Sequence, residues 1–214
     1  MIGASTSFYG YGGPSILAKA ERLIRIFKSA GFLPYIQIGA GMPGGIFKEV
    51  VEGLNKLKHS YNVRYSIHQS LWMPSRSFIL NLASSNEEVC RLSVESLKRS
   101  IDLAKKISAE NLSFHGGYAS NIMAQDEEFQ PLASKDIIPW GEAYSNTLKS
   151  ISELQRYSAG SVKLSVENMN YRPERRYLFS RPEDFYHLPS DVGVLLNVGH
   201  LYYSQQAAGS QIYV

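Results

Sequence analysis

The stretch GVLLNVGHLYYS, Gly193 to Ser204, places two polar residues at the end of an apolar run. Gly193 to Leu196 are small or apolar, Asn197 follows directly, and His200 comes three residues later. A run this apolar is typical of a strand that is buried on both faces in a parallel sheet. Its polar ending must therefore find hydrogen-bond partners in the core or face a site at the mouth of the strand.

Four runs upstream share this pattern: PYIQIG, VRYSIH, NLSFHGG and VKLSVEN are rich in β-branched and aromatic residues and end in Gly, Asn or His. Between the runs lie stretches with one apolar face, which predict helices. Their stripes are Ile16, Ala20, Leu23, Ile24 and Phe27 after a first-turn Pro14 and before a stop at Gly31; Phe47, Val50, Val51, Leu54 and Leu57; Leu97, Ile101, Ala104 and Ile107 after an N-cap at Asn86; and Trp140, Tyr144, Leu148 and Ile151. Strand and helix in alternation predict a parallel α/β fold.

The composition is that of a globular protein. The chain has 214 residues, 44% of them hydrophobic and 19% charged, which predicts one domain over residues 1–214. A net charge of +3 allows an anionic ligand without requiring nucleic acid. The N-terminal segment MIGASTSFYGYGG lacks the features of a signal peptide, and no apolar run is long enough to span a bilayer. We therefore expect a cytoplasmic protein with no membrane partner.

The cysteine count restricts the chemistry of any metal site. Cys90 is the only cysteine, so an internal disulfide framework and a cysteine-based zinc motif are both excluded. Any metal ion would take its ligands from histidine and carboxylate side chains.

Two parallel architectures compete, the open doubly wound sheet and the closed (β/α)8 barrel. The segment STSFYGYGG lacks the G-x-G-x-x-G spacing of a dinucleotide-binding sheet. The barrel is favoured by the polar residues that fall at or just beyond the ends of separate strands, where a barrel assembles its active site. These residues are His68, His115, Glu167, Asn197 and His200.

Three imidazoles, a carboxylate and an amide around one barrel mouth are the donors of a metal site. Zn²⁺ is the expected ion, with Mn, Fe and Mg as alternatives, because the donors do not fix the metal. Glu167 carries most weight, since a carboxylate buried after KLSV needs a cation or a firm hydrogen-bond network. We exclude His187, which follows no strand, and His59, which suits a helix C-terminus.

The motifs SIHQSLW, SFHGG, SVEN and LLNVGH, in this order, resemble the xylose isomerase-like TIM barrels, and within them the endonuclease IV branch of abasic-site endonucleases. The resemblance implies that His68, His115, Glu167 and His200 are metal ligands, with Glu167 bridging two ions. Asn197 stands where that branch has the Asp of its D-x-x-H motif. An amide keeps the oxygen ligand but brings no charge, so metal affinity should drop.

The chain is also short for this family. A complete barrel has about 250 residues, whereas this sequence ends at GSQIYV, which looks like the opening of a seventh strand. About six to six and a half of eight βα units are therefore expected. Either the sequence is a fragment, or a partner or a second copy covers the open edge, or the parent activity has been lost.

The first functional hypothesis is a metal-dependent hydrolase that cuts DNA at abasic sites, with Glu167 as its catalytic residue. In that case the arginines of NYRPERRYLFSRP would hold phosphates and two aromatic residues would stack on a nucleotide, although a solvated surface loop explains the segment equally well. The residues concerned are Arg172, Arg175, Arg176 and Arg181, with Tyr171 and Trp72. The alternatives are a sugar isomerase or epimerase, in which a cation polarises the carbonyl and Glu167 handles the proton, and a non-catalytic barrel descendant that binds a ligand or partner.

Overall fold

The computed structural model of the chain describes residues 3–9, 15–39, 47–69, 72, 74, 78–121, 136–172 and 175–207. Within these residues there are six strands: β1 Gly3–Ser5, β2 Tyr35–Ile38, β3 Arg64–His68, β4 Asn111–His115, β5 Lys163–Glu167 and β6 Val192–Leu195. Five α-helices accompany them: α1 Ile16–Ser29, α2 Phe47–Tyr61, α3 Glu87–Ile107, α4 Trp140–Ser158 and α5 Val198–Ala207. In the described part of the chain, short 3₁₀ turns also cover Thr6–Tyr9 and Pro182–Phe185.

The strands follow one another in the sheet in the same order as in the chain. The pairs β1–β2, β2–β3, β3–β4 and β5–β6 are parallel, and a helix precedes each strand from β2 to β5. Sequential parallel strands with helical crossovers are the topology of a (β/α)8 barrel, with six strands described here. The predicted fold class is therefore confirmed.

The chain divides into two compact units. The first unit consists of Met1–Pro74, Ser96–Ser113 and Ser158–Lys163, and the second consists of Ser75–Glu95, Phe114–Tyr157 and Leu164–Val214. The first contains β1 to β3 with α1 and α2, and the second contains most of α4 and β5 together with β6 and α5.

The core of the first unit forms around β2 and β3, whose inward residues Ile36, Tyr65 and Ile67 are fully buried. The Tyr65 hydroxyl donates a hydrogen bond to the Leu54 carbonyl in α2 at 3.0 Å, so this large side chain is buried with its polar atom satisfied. Burial raises the pKa of this hydroxyl far above its usual value, which keeps it neutral.

Helix α1 begins at Ile16, two residues after the proline that was predicted for its first turn. Ser15 is its N-cap, and the Ser15 hydroxyl accepts a hydrogen bond from the backbone N–H of Ala18 at 3.3 Å. Pro14 itself lies outside the described residues. Three residues of the predicted apolar stripe are buried as expected: Ala20, Leu23 and Ile24.

Helix α3 begins as predicted. The Asn86 side chain accepts hydrogen bonds from the backbone N–H groups of Glu88 at 3.0 Å and Val89 at 3.2 Å, which is the N-cap arrangement. The predicted stripe of this helix is fully buried: Leu97, Ile101, Ala104 and Ile107.

Helix α4 buries a different face from the one predicted. Of the predicted stripe only Ile151 is fully buried, whereas Trp140 remains 37% exposed. The buried face contains small and medium residues instead: Ala143, Thr147, Ile151 and Leu154. The stripe was misplaced because small residues that pack closely carry less weight in a hydrophobic pattern than large aromatic ones.

The segment around Gly193 was predicted as a strand buried on both faces, and this prediction is wrong. Strand β6 pairs in parallel with β5, but Val194 is 51% exposed and Leu196, just beyond the strand, is 61% exposed. The strand ends at Leu195, and helix α5 starts at Val198, so His200 lies in a helical turn. The GSQIYV segment lies outside the described residues. In the described part of the chain, no helix is both long enough and apolar enough to cross a bilayer.

Candidate metal centre

The last residue of β5, Glu167, is a carboxylate that is only 3% exposed. Its Oε1 atom accepts a hydrogen bond from Asn197 Nδ2 at 2.7 Å. The carboxylate lies between two imidazoles, with Oε2 3.5 Å from His115 Nε2 and Oε1 3.5 Å from His200 Nδ1. A buried carboxylate of this kind is stable only when hydrogen bonds or positive charge surround it.

His115 is the last residue of β4, and the two glycines after it explain how the strand end is packed. A Cβ atom on Gly116 would lie 2.2 Å from ring carbons of Phe179, so the ring packs directly on this backbone. Gly117 has a φ of +106°, and a Cβ there would lie 2.4 Å from Asn81 Oδ1. The sequence HGG is therefore required by close approach at the first glycine and by backbone conformation at the second.

Asn81 holds the backbone beyond His115 in place. Its side-chain oxygen accepts from the N–H groups of Ala83 and Tyr118, both at 3.1 Å. Its amide donates to the carbonyls of Tyr118 at 3.2 Å and Ser120 at 2.9 Å. All four hydrogen-bonding positions of this buried amide are used, which makes the segment rigid.

His200 reaches the same place from the first turn of α5. Its Nδ1 lies 2.7 Å from the carbonyl oxygen of Asn168. A carbonyl can only accept, so Nδ1 carries the proton and the lone pair is on Nε2. A histidine that donates one ring N–H to a backbone carbonyl has the arrangement typical of metal ligands. The centroids of the His115 and His200 rings are 6.2 Å apart.

His68 is the last residue of β3 and belongs to the first unit. Its Nδ1 lies 3.1 Å from the Ser113 hydroxyl, whose own proton is directed to the Ile67 carbonyl at 3.4 Å. The hydroxyl therefore accepts from Nδ1, which places the lone pair of His68 on Nε2. His68 thus has the same tautomer as His200, with a serine hydroxyl in place of the carbonyl.

The spacing in the second unit fits the radius of a transition-metal ion. Two donors at about 2.1 Å from a tetrahedral ion are about 3.4 Å apart, and His115 Nε2 lies 3.5 Å from Glu167 Oε2. His200 would bind an ion through Nε2, because its Nδ1 carries the proton. His115 and Glu167 each offer an atom that can bind a metal ion. A mixed nitrogen and oxygen donor set suits Zn, Mn or Fe.

Asn197, predicted as a ligand, has both polar atoms of its side chain engaged. Its Nδ2 donates to Glu167, and its Oδ1 accepts from the backbone N–H of His200 at 3.2 Å. The second contact makes Asn197 the N-cap of α5. An Asn directly before a helix is a recognised N-cap signal, and it was overlooked because the residue was assigned to the strand end.

Asn168, to which the sequence pattern assigned no role, also supports the site. Its carbonyl accepts from His200, and its side chain hydrogen-bonds to both backbone groups of Asn197, accepting from N–H and donating to C=O, the latter at 3.2 Å. The E-N pair in SVEN was the available signal, but only Glu167 received a function.

Arg172, Arg175 and Arg176, whose role in holding phosphates stays a prediction, all take part in hydrogen bonds within the protein. The Arg176 guanidinium donates to the carbonyls of Ala119 at 3.1 Å and Ile138 at 3.2 Å, so it ties the backbone together. Arg175 donates to the Tyr177 hydroxyl at 3.4 Å. The backbone carbonyl of Arg172 accepts from the N–H groups of both later arginines at 3.0 and 3.2 Å.

Tyr171 and Trp72, which were predicted to stack on a nucleotide, each contact an arginine. The Tyr171 hydroxyl accepts from Arg181 at 3.1 Å, and the Arg181 guanidinium lies 5.0 Å from the ring centroid. In the first unit, Arg99 stacks over Trp72 at 3.8 Å from the centroid. Both are cation–π contacts.

The two histidines excluded from the site are placed as expected. His187 is exposed and lies near Tyr144, with ring centroids 6.4 Å apart. His59 lies in the last turn of α2, and its Nδ1 donates to the Asn55 carbonyl at 2.7 Å.

A second buried carboxylate, Asp184, lies at a 3₁₀ turn of the same unit. Burial raises its pKa, although the backbone N–H groups of Arg181 and Ser180 donate to Oδ2. Its backbone carbonyl accepts from the Tyr144 hydroxyl at 2.7 Å. Burial and the nearby carboxylate both raise the pKa of that hydroxyl. Among the described residues, Asp184 is not part of a group of side chains spaced to hold a metal ion.

Several of the solved structures that resemble the chain are described as sugar epimerases or as similar to them. A D-tagatose 3-epimerase-like protein has a TM-score of 0.64 at 21% identity, over 93% of this chain and 65% of its own. An L-ribulose 3-epimerase has a TM-score of 0.64 at 14% identity, over 98% and 67%. The D-allulose 3-epimerase from Methylomonas sp., in complex with D-allulose, has a TM-score of 0.66 at 15% identity, over 95% and 64%.

At these identities the likeness shows the fold. The chain spans about two thirds of the length of these neighbours. No curated protein matches the sequence. The family model described as xylose isomerase-like TIM barrel matches residues 24–213. The chain therefore belongs to the xylose isomerase-like TIM barrel family.

Proposed function

We propose that this protein is a divalent-cation-dependent isomerase or epimerase of small sugars. The observation that carries the proposal is the buried Glu167 carboxylate, held 3.5 Å from the imidazoles of both His115 and His200 in the second unit. Membership of the family and the sugar epimerases among the structural neighbours support small sugars as the proposed substrate class. His68, at the end of β3, is proposed as a further ligand because parallel strands of this fold carry their functional residues at their C-terminal ends.

The residues present suit the chemistry of moving a proton next to a sugar carbonyl. A bound divalent cation would supply the polarisation of that carbonyl. His115 and His200 bring neutral nitrogen donors, and Asn168 keeps the lone pair of His200 on Nε2. Glu167 is the carboxylate held beside both imidazoles, and we assign the proton transfer to it.

The hydrolase hypothesis, which the sequence favoured, is not supported. Its phosphate-binding arginines included Arg176, whose guanidinium is directed to two backbone carbonyls. The three structural neighbours described above are two sugar epimerases and an epimerase-like protein, which favours the sugar isomerase or epimerase alternative. The identity of the metal, the single-domain assignment, the cytoplasmic location and a partner or second copy at the open sheet edge stay predictions.

Deuterium exchange tests the proposed reaction. The protein is stripped with EDTA, reloaded with Mn²⁺, Co²⁺ or Zn²⁺, and incubated with D-fructose or D-allulose in D₂O. Proton NMR should show solvent deuterium entering next to the carbonyl, and Glu167→Gln should abolish the exchange. Glu142→Gln, an exposed glutamate in the first turn of α4, is the matched control and should exchange at the wild-type rate.

Two results would overturn the proposal. One is the absence of exchange with every metal and sugar although the ion is bound. The other is cleavage of an abasic-site duplex by the same preparation without sugar exchange, which would restore the hydrolase hypothesis.

A further inference from the structure

Asn197 meets Glu167 through a contact whose direction is fixed by chemistry. A carboxylate oxygen accepts and a backbone N–H donates, so the amide must turn its Nδ2 to Glu167 and its Oδ1 to His200 N. The two distances are 2.7 Å and 3.2 Å. Rotating the amide by half a turn would break both hydrogen bonds.

The backbone of Asn197 is fixed as firmly as its side chain. The Asn168 side chain accepts from the Asn197 N–H and donates to its carbonyl at 3.2 Å, and that carbonyl also accepts from Leu201 N at 3.2 Å. The N–H of Asn168 donates to the Leu195 carbonyl at 3.1 Å. The ends of β5 and β6 are thereby joined at the residue that contacts Glu167.

The consequence for the carboxylate is a single orientation. With Oε1 engaged by Asn197, Oε2 is directed to His115. The same amide caps the helix that carries His200, so one side chain sets the positions of two proposed ligands.

We infer that Asn197 is a positioning residue, outside the coordination shell, that holds Glu167 and His200 in the geometry for one divalent cation. This inference rests on the proposed function, because it concerns the same site. An aspartate at this position would oppose a second carboxylate to Glu167 at hydrogen-bond distance, and the two negative charges would repel each other in the metal-free protein. The amide allows the carboxylate to be ordered before the ion arrives.

The stability of the metal-free protein against urea tests the hydrogen bond between Asn197 and Glu167 independently of any ion. Asn197→Asp retains the shape and the N-cap but replaces the donor by an acceptor. We expect its urea midpoint in EDTA to fall by about 1 M. In the double variant Asn197→Asp with Glu167→Gln, the amide at position 167 can donate to the carboxylate at position 197. This variant should therefore recover most of the lost urea midpoint. A midpoint for Asn197→Asp equal to or above the wild type would overturn the inference, since an aspartate N-cap alone favours the helix.

Cobalt absorption tests the effect on the ion. Asn197→Ser keeps a good N-cap, but its shorter side chain cannot reach Glu167. We expect a lower urea midpoint in EDTA, because the buried Glu167 Oε1 loses its hydrogen bond. We also expect a Co²⁺ affinity about tenfold lower and wild-type band positions at saturation, because the ligands are unchanged. Shifted bands at saturation would make Asn197 a ligand, and unchanged affinity would remove its positioning role. A wild-type protein that binds no Co²⁺ would contradict the proposed function, while the metal-free midpoints still decide whether Asn197 holds Glu167.

Discussion

Replacing Gly116 by alanine tests how the strand end beneath His115 is packed. The new Cβ would lie 2.2 Å from two ring carbons of Phe179, whereas carbon atoms in contact are about 3.5 to 4.0 Å apart. The ring would have to move by more than about 1 Å. Phe179 is fully buried and packs against Phe185 and Tyr144, with ring centroids 5.2 and 6.0 Å away, so little room is available.

The expected cost follows from this overpacking. Extra atoms in a packed core cost about 1 to 3 kcal/mol, and a clash with a ring that cannot leave lies at the upper end, about 3 kcal/mol. With a denaturant slope of about 2 kcal/mol/M, the urea midpoint should fall by about 1.5 M. Because His115 is the preceding residue, affinity for Co²⁺ should fall as well.

Urea unfolding followed by circular dichroism measures the change, and Gly141→Ala provides a control of opposite sign. Gly141 lies in the first turn of α4, and a Cβ there would meet nothing within 4 Å. Alanine at that position should raise stability by up to about 1 kcal/mol. The reasoning is refuted if the two variants shift the midpoint in the same direction, or if Gly116→Ala leaves it unchanged.

Three further substitutions test buried polar groups. Tyr65→Phe removes the hydrogen bond to Leu54 and should cost about 1 kcal/mol in urea unfolding; no change would mean that the bond is replaced. Asn81→Ala leaves four backbone groups without their partner and should cost about 3 kcal/mol or more; a cost below about 1 kcal/mol would contradict the rigid segment. Burial raises the pKa of Asp184 above its usual value of 3.8. The protonated side chain therefore contributes stability that is fully present below about pH 3.8 and is lost as the pH rises through the pKa of the folded state. Asp184→Asn should therefore gain stability relative to wild type between about pH 4 and about pH 7, and a constant difference would show that the carboxylate is not destabilised by burial.

The strand ends could be predicted from the sequence because a parallel strand needs an apolar run and its functional residues interrupt that run. His68, His115 and Glu167 are each the last residue of a strand, as the runs indicated. The N-cap at Asn86 was equally visible, since an Asn before two glutamates and an apolar stripe is a local signal.

Other features depend on tertiary contacts that no local pattern contains. Strand β1 has three residues, Gly3–Ser5, without a β-branched side chain, so it carries almost no strand signal. Helix α5 has no apolar periodicity, and its start is visible only through the Asn197 cap. Arg176 has a left-handed backbone with a φ of 52°, and its guanidinium donates to the carbonyls of Ala119 and Ile138, which are distant in sequence.

The central claim is that one divalent cation binds between Glu167 and the imidazoles of His115 and His200. A crystal soaked in ZnCl₂ and measured at the zinc absorption edge tests it most directly. The account predicts an anomalous peak about 2.1 Å from Glu167 and from a ring nitrogen of each histidine, with Asn197 outside bonding distance. Zinc bound elsewhere with no peak at Glu167, or a peak coordinated by Asn197, would contradict it.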